Sequence, residues 1–268
     1  MLGFAQRIKR WMRITRLVVH LARGLATSAF LFPLQSPERR TREIEHWSIS
    51  LLDILNIRLF LHGMPPAYGV RPLMLVANHV SWLDIFAINA VVPSRFVAKS
   101  EVRAWPLVGW LCAKAGTLFI ERARRHDTVR INHAVSAAMQ SGDVFAVFPE
   151  GTTTDGSTVL KFHASLLEPA READAAIQPV ALWYDRSDGT TCAEAAYDAG
   201  KSLWGSLMDI TSQHEILAHV CFLDAIVPDE RHRRDIALEA RDAIVRTLFP
   251  AMRDSRTDTD ADLRVVAQ

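Results

Sequence analysis

Short apolar runs alternate with amphipathic stretches along most of the chain. Runs rich in valine, isoleucine, leucine and phenylalanine predict strands, and the longer stretches with helical spacing predict helices. The predicted strands are 72–78, 94–99, 117–122, 144–149, 177–184 and 216–223, and the predicted helices are 82–92, 101–115, 127–141, 160–174, 200–213 and 230–249. This alternation is typical of an α/β fold in which a largely parallel mixed sheet is flanked by helices.

An N-terminal helix is predicted before this domain. Residues 1–34 contain six lysines or arginines and no acidic residue. On a helical projection, one face carries Ile14, Leu17, Val18, Leu21 and Leu25, and the opposite face carries Arg13, Arg16, His20, Arg23 and Thr27. Such a basic amphipathic helix is suited to an anionic membrane surface, with its apolar face among the acyl chains. The alternative is a helix packed on the domain with a solvated basic face.

A second helical pattern occupies residues 38–61, between Pro37 and a stop at Gly63. The two helices together form a predicted helical pair. We therefore divide the chain into an N-terminal membrane-docking region at 1–63, an α/β domain at 64–253 and a polar flexible tail at 254–268.

The composition excludes several classes of function. The 268 residues carry a formal net charge of +1, so the chain is not a globally basic nucleic-acid binder. Its three cysteines follow no spacing that is typical of a metal site or a disulfide framework, which favours a reducing compartment. We expect no metal site and no nucleic-acid partner.

The stretch LMLVANHVSWLDIF, residues 73–86, combines an apolar run with polar residues at its end. We predict that the strand ends at Asn78, that His79 lies in a turn, and that Ser81 caps a helix starting at Trp82. Asp84 then falls in the first helical turn, where its carboxylate can reach His79 and support it as a general base. The alternative is structural, because Ser81-x-x-Asp84 also has the spacing of a capping box.

Two further segments end at the same predicted edge of the sheet. Residues 144–156 run from an apolar strand into Pro149, Glu150, Gly151 and Thr152, where backbone amides and hydroxyls could bind an anion or a polar head group. The strand 117–122 ends at Arg122, a residue type suited to phosphate or carboxylate. An ordinary turn and a solvated basic turn are the alternatives.

Taken in order, residues 78–86, 99–122, 148–156 and 177–182 resemble the four ordered blocks of the glycerolipid acyltransferase family. The family includes 1-acylglycerol-3-phosphate acyltransferases. The resemblance implies a glycerol-3-phosphate acyltransferase-like fold whose N-terminal helical pair docks on the cytoplasmic face of the cell membrane, as a peripheral or monotopic contact. It also implies transfer of an acyl group from acyl-CoA or acyl carrier protein to a lysolipid hydroxyl.

The resemblance also assigns roles to individual residues. It implies that His79 deprotonates the acceptor, that Asp84 orients and charges His79, and that no cofactor takes part. It places Arg122, Glu150, Gly151 and Thr152 at the acceptor head group, and it includes Asn78, Ser81, Pro149 and Pro179 as motif support.

We expect the acceptor to be 1-acyl-sn-glycerol-3-phosphate, the commonest one in the family, which gives phosphatidic acid. Two departures bear on this acceptor, because many members carry arginine at the position of Thr153 and lysine at that of His163. Lyso-ornithine lipid, which has no phosphate, is therefore the close alternative. A non-catalytic lipid-binding accessory protein and a thioester or ester hydrolase are alternatives of other classes.

Overall fold

The computed structural model describes residues 4–66, 72–105, 108–120, 125–198, 200–249 and 263–264. The helices are α1 (Phe4–Ala26), α2 (Pro37–Leu55), α3 (Leu83–Asn89), α4 (Val108–Lys114), α5 (Arg125–Gln140), α6 (Glu168–Glu172), α7 (Leu203–Ser212) and α8 (Arg233–Leu248). The strands are β1 (Ile57–Gly63), β2 (Leu73–Ala77), β3 (Arg95–Lys99), β4 (Leu118–Ile120), β5 (Val144–Val147), β6 (Ala176–Asp185), β7 (Ile216–Phe222) and β8 (Leu263–Arg264). A π-helical turn (Thr27–Leu31) and a 3₁₀ turn (Phe32–Leu34) follow α1.

The strands form one mixed sheet in the order β4-β3-β5-β2-β6-β7-β1-β8. Strand β2 lies between β5 and β6 and is parallel to both, and only the β6–β7 and β1–β8 pairs are antiparallel. All five residues of β2 and all four of β5 are buried, as expected for strands covered on both faces. The predicted α/β fold with a largely parallel mixed sheet is confirmed.

The predicted helix at 38–61 is wrong over its last part. Helix α2 ends at Leu55 because Asn56 adopts a left-handed conformation with a φ of 60°. The next seven residues form β1, which pairs in parallel with β7. The division of the chain at residue 63 stays a prediction, although β1 lies before that boundary and is hydrogen-bonded within the sheet. The polar tail predicted for 254–268 lies outside the described residues, apart from β8.

Two other predicted helices are shorter than expected. The stretch 101–115 divides into a 3₁₀ turn (Ser100–Ala104) and α4. The stretch 160–174 contains a 3₁₀ turn (Ala164–Leu166) and the five-residue α6. Pro169 lies in the first turn of α6, and proline is compatible with the start of a helix but not with its interior. The helix therefore cannot extend back to residue 160.

Helix α1 is amphipathic, but the apolar face predicted to enter the membrane is largely packed on the protein. Ile14 and Leu17 are each 6% exposed, and Leu17 and Leu21 pack in one cluster with Leu51 and Leu55 of α2. Of the five residues predicted to share that face, Val18 is exposed, at 59%. The expectation that this face lies among acyl chains is therefore wrong for Ile14 and Leu17.

Part of the predicted basic face also binds the protein itself. The guanidinium of Arg13 donates to the carbonyl oxygens of Gln213 and His214, at 2.7 and 3.0 Å, just after α7. His20 stacks on Trp47 of α2, with ring centroids 4.6 Å apart. Burial lowers the pKa of His20 and so favours its neutral form. These contacts join α1 to the body of the protein.

A different apolar surface of α1 is exposed. It consists of Ile8, Trp11, Met12, Val18 and Val19, which are 46–63% exposed. At about 100° per residue these side chains cover roughly a third of the helix circumference, and we call them the exposed stripe. Arg16 and Arg23 are also exposed and lie along one border of it. The segment 7–34 is long and apolar enough to cross a membrane, by length and composition alone.

Candidate active site

The site is built on the turn between β2 and α3. Asn78 follows the last residue of β2 and is 2% exposed. Its side-chain amide bonds to both backbone groups of Leu182 on β6. Its Nδ2 donates to the Leu182 carbonyl at 2.9 Å, and its Oδ1 accepts from the Leu182 amide at 2.8 Å. Since an amide side chain offers both a donor and an acceptor, Asn78 fixes the start of the turn against the neighbouring strand.

His79 and Asp84 are in contact. Nδ1 of His79 lies 2.8 Å from Oδ2 of Asp84, and the Asp84 carboxylate is fully buried. The same Oδ2 accepts hydrogen bonds from the backbone amides of Val80, at 2.8 Å, and Ser81, at 2.9 Å. The predicted His–Asp geometry is therefore present, and the bonds to backbone amides show that the carboxylate also stabilises the turn. The same contacts fit the catalytic interpretation, in which Asp84 supports His79, and the structural one, in which Asp84 stabilises the turn.

The helix after the turn begins one residue later than predicted. Trp82 is its N-cap and Leu83 its first residue, whereas we expected the helix to start at Trp82. The Ser81 hydroxyl accepts from the amide of Leu83 at 3.3 Å, and the Asp84 carboxylate returns to the Ser81 amide. The predicted capping by Ser81 is wrong in its position, because Trp82 occupies the N-cap without a side-chain cap bond and Ser81 lies one residue before it.

A tyrosine that the sequence prediction missed completes the surroundings of Asp84. The hydroxyl of Tyr184, on β6, donates to Oδ1 of Asp84 at 2.6 Å. Burial, reinforced by the negative charge of Asp84, raises the pKa of Tyr184 well above its ordinary value. The phenol therefore remains protonated and remains a donor. One hundred residues separate the two positions, so no local spacing could have revealed the pair.

The His79 ring is held on its face as well as at Nδ1. It stacks on Phe148 with ring centroids 4.0 Å apart and an interplanar angle of 10°. Phe148 is itself stacked with Phe96, with ring centroids 5.8 Å apart. The imidazole keeps 18% of its surface exposed. A ring fixed in this way presents Nε2 as the nitrogen that can meet a substrate.

Glu150 joins the turn of His79 to the segment that follows β5. Its Oε1 accepts from the backbone amide of His79 and its Oε2 from that of Leu160, both at 2.7 Å. The amide of Thr154 donates back to the His79 carbonyl at 2.9 Å. Burial raises the pKa of Glu150, while the two backbone bonds act in the opposite direction. The geometry gives Glu150 a bracing function, and its predicted contact with an acceptor stays a prediction.

The other predicted residues have different surroundings. Gly151 has a φ of 74°, which favours glycine, and Thr152 is exposed beside it. Pro149 is buried, and its carbonyl accepts from the amide of His163 at 2.9 Å. Pro179 is a buried residue of β6 that pairs with Val76 of β2. Arg122 lies outside the described residues. Within the described ranges, no group of three or more histidine, cysteine, aspartate or glutamate side chains is arranged to hold a metal ion.

Comparison with protein families finds a match over the part of the chain that contains these residues. Residues 58–183 match the model of the family described as "Acyltransferase". That range includes the turn between β2 and α3, the segment after β5 and most of β6.

Individual relatives extend the similarity beyond this range. The lyso-ornithine lipid O-acyltransferase of Pseudomonas aeruginosa is 34% identical over 257 residues, which cover 94% of this chain and 98% of the relative. The 1-acyl-sn-glycerol-3-phosphate acyltransferase of Neisseria meningitidis is 38% identical over 199 residues, which cover 73% of this chain and 77% of the relative. The crystal structure of the 1-acyl-sn-glycerophosphate acyltransferase PlsC from Thermotoga maritima has the same fold, with a TM-score of 0.68 at 21% identity, over 94% of this chain and 98% of that one.

Proposed function

Because the chain belongs to the acyltransferase family, we propose that it moves a fatty acyl group from a thioester to the hydroxyl of a lysolipid, with His79 as the general base. The observation that carries this proposal is the contact between His79 and Asp84. Asp84 accepts hydrogen bonds from the amides of Val80 and Ser81 and from the hydroxyl of Tyr184. In the proposed tautomer Nδ1 of His79 donates to Oδ2 of Asp84, and Nε2 keeps a lone pair.

The proposed reaction is a direct transfer. Nε2 of His79 removes the proton of the acceptor hydroxyl while that oxygen attacks the thioester carbonyl carbon. The new C–O bond forms as the carbonyl electrons move to oxygen, and their return breaks the C–S bond. The leaving thiolate takes the proton from the imidazolium, so the products are an ester and a free thiol. Asp84 stabilises the imidazolium between the two proton transfers. We propose that no cofactor takes part and that acyl-CoA or acyl carrier protein is the co-substrate.

We propose lyso-ornithine lipid as the acceptor. The Pseudomonas aeruginosa relative, which is named for that lipid, matches nearly the whole chain. The hydroxyl of Thr153 donates to the carbonyl of Tyr197, so the position where many family members carry arginine holds an internally bonded, uncharged side chain. An acceptor without a phosphate needs fewer cations around it. The second candidate is 1-acyl-sn-glycerol-3-phosphate, because the Neisseria meningitidis relative named for it is 38% identical over 199 residues, against 34% for the Pseudomonas aeruginosa relative.

We place the acceptor head group at the rim formed by residues 151–153. The positive φ of Gly151 turns the backbone there, and Thr152 is exposed. Glu150 contributes to this site indirectly, because its carboxylate accepts a hydrogen bond from the backbone amide of His79. Arg122 stays a predicted ligand of the head group.

We propose that the exposed stripe of α1 rests in the cytoplasmic face of the cell membrane. Its five apolar side chains would enter the acyl region, while Arg16 and Arg23 would lie near lipid phosphates. Such a peripheral or monotopic placement leaves the packed face of α1 on the protein. It also gives the site access to acceptors that are themselves membrane lipids.

The test is an assay of thiol release with purified full-length protein. Acyl-CoA or acyl carrier protein is supplied with vesicles that contain lyso-ornithine lipid, lysophosphatidate or neither. We expect free thiol and diacylated product in equal amounts, with lyso-ornithine lipid as the better acceptor. His79→Ala should lower the rate about 10²- to 10⁴-fold, because the general base is lost. The matched control is His133→Ala, at an exposed histidine of α5.

Each other outcome supports a different function. Thiol release without any lysolipid would indicate a hydrolase. Lipid binding without thiol release from either donor would indicate the non-catalytic accessory protein. Near-normal transfer by His79→Ala would contradict the proposed mechanism. Faster transfer to lysophosphatidate would leave the mechanism in place and change the acceptor.

A further inference from the structure

The two oxygens of Asp84 are held in different ways. Oδ2 faces three donors from its own turn, namely Nδ1 of His79 and the amides of Val80 and Ser81. Oδ1 accepts from the hydroxyl of Tyr184, a 3% exposed residue on a different element. The donor on Oδ1 therefore comes from the sheet, whereas the donors on Oδ2 come from the turn.

This division determines which motions of the carboxylate are restrained. Three donors at Oδ2 fix the position of that atom, but the group can still turn about an axis through it. A second anchor at Oδ1 removes this freedom and keeps the plane of the carboxylate constant. The O–H···O distance of 2.6 Å is typical of a bond to an ionised acceptor, which is stronger than one between neutral groups.

Strand β6 holds the turn at both ends. Asn78, directly before His79, is bonded to Leu182 in two places, and Asp84, after it, is bonded to Tyr184 two residues along the same strand. The two anchors bracket the imidazole. Because β6 is a strand of the central sheet that pairs with β2, it offers a rigid support.

We propose that Tyr184 is a positioning residue for acyl transfer, whose hydroxyl fixes the Asp84 carboxylate and, through it, the orientation and basicity of His79. This inference rests on the proposed function of His79 as the general base. Tyr184 touches no substrate in this role and acts through Asp84. The hydrogen bond from its buried phenol draws negative charge toward Oδ1 of Asp84. The negative charge at Oδ2 therefore depends on this hydrogen bond.

The variant Tyr184→Phe removes the hydroxyl and keeps the ring. We expect kcat to fall about 10- to 100-fold, because a small misplacement of a catalytic group has effects of up to this size, with KM changed less than about twofold. We also expect the acid limb of the kcat–pH profile to move to higher pH. Without the phenol, more negative charge remains at Oδ2, which stabilises the imidazolium of His79. The position of this limb does not depend on how much of the protein is folded.

A double variant separates action through Asp84 from general loosening of the fold. If Tyr184 acts through the carboxylate, Tyr184→Phe should have little further effect on kcat in an Asp84→Asn background. Additive losses would contradict the proposal. The matched control is Ser48→Ala, which removes a 1% exposed hydroxyl that donates to the Ile44 carbonyl on α2. It should leave kcat and the pH profile unchanged.

The failure of this inference can be distinguished from the failure of the proposed function. If His79→Ala stays active in the same assay, the mechanism itself is wrong. If His79→Ala is inactive while Tyr184→Phe keeps the kcat and acid limb of the unmodified protein, the general base stands and the positioning function of Tyr184 is overturned.

Discussion

The backbone amide of His79 donates to Oε1 of Glu150 at 2.7 Å, across 71 residues of sequence. The other oxygen of Glu150 receives the amide of Leu160, so one buried carboxylate joins two loops. The bond acts on the main chain of His79, whereas Asp84 contacts its ring. The position of His79 therefore depends on two carboxylates with different tasks.

Replacing Glu150 by glutamine tests this brace. A glutamine has one acceptor oxygen and an amide group that cannot accept, so one of the two backbone amides loses its partner. We expect the free energy of unfolding to fall by about 1–3 kcal/mol, the range for a buried donor left unsatisfied. We expect kcat to fall about tenfold, since the turn of His79 becomes less constrained. Urea unfolding and steady-state kinetics measure the two effects. An unchanged free energy of unfolding would show that the two hydrogen bonds of Glu150 do not stabilise the fold. Glu101→Gln, at an exposed position, serves as the control.

The two apolar surfaces of α1 should respond differently to substitution. Leu17→Ala shortens a side chain that packs on α2, and we expect a loss of about 2–4 kcal/mol in stability. Val18→Ser with Val19→Ser changes the exposed stripe, and we expect little change in stability but about 10- to 100-fold weaker partitioning into anionic vesicles, because less apolar surface enters the lipid. Thermal unfolding and vesicle sedimentation measure these outcomes. Equal loss of partitioning in both variants would mean that membrane contact is not confined to the stripe.

The contact between α6 and α8 should make stability depend on acid pH. Hydrogen bonding to Arg171, together with Arg233, lowers the pKa of Glu168 below its ordinary value of 4.5. Because the folded-state pKa is the lower one, Glu168 contributes stability above pH 4.5 that is lost as the pH falls through the folded-state pKa. The contribution is about 1 kcal/mol or less, since both arginines are partly exposed.

Glu168→Gln should therefore remove this part of the acid sensitivity. We expect the variant to lose less stability than the unmodified protein when unfolding at pH 6 is compared with unfolding at pH 3. Glu230→Gln, at an exposed carboxylate before α8, is the control and should follow the unmodified protein. Parallel curves for Glu168→Gln and the unmodified protein would contradict the assignment.

The sequence predicted the turn between β2 and α3 because its determinants are local. A buried apolar run must end near Asn78, and Ser81 and Asp84 are residue types that favour the start of a helix, so His79 and Asp84 lie at the same end of a strand. The 2.8 Å contact between Nδ1 of His79 and Oδ2 of Asp84 therefore forms within one short segment, in which the two residues are five positions apart. Glu150 was identified as a site residue, but its bond to His79 connects segments that are distant in sequence, and no pattern in one chain specifies that pairing.

The errors have equally definite causes. The end of α2 was signalled by Asn56, a residue type that tolerates the left-handed conformation, and by the apolar residues Ile57, Leu59 and Leu61 at every second position. That alternation fits a strand better than the helix that we predicted. The helical projection of α1 contains two apolar surfaces, and only the packing against α2 determines which of them is buried. Tyr184 was missed because the partner of a buried carboxylate can come from any strand beside it.

The order of the strands separates the hydrogen bonds of the site from one margin of the sheet. His79 follows β2, Glu150 follows β5 and Tyr184 belongs to β6, and these three strands are neighbours in the sheet. Strands β3 and β4 lie at one margin, so changes there leave the hydrogen bonds around the imidazole in place. Substitutions in β3 or β4 should therefore disturb the proposed proton transfer less than substitutions in β2, β5 or β6.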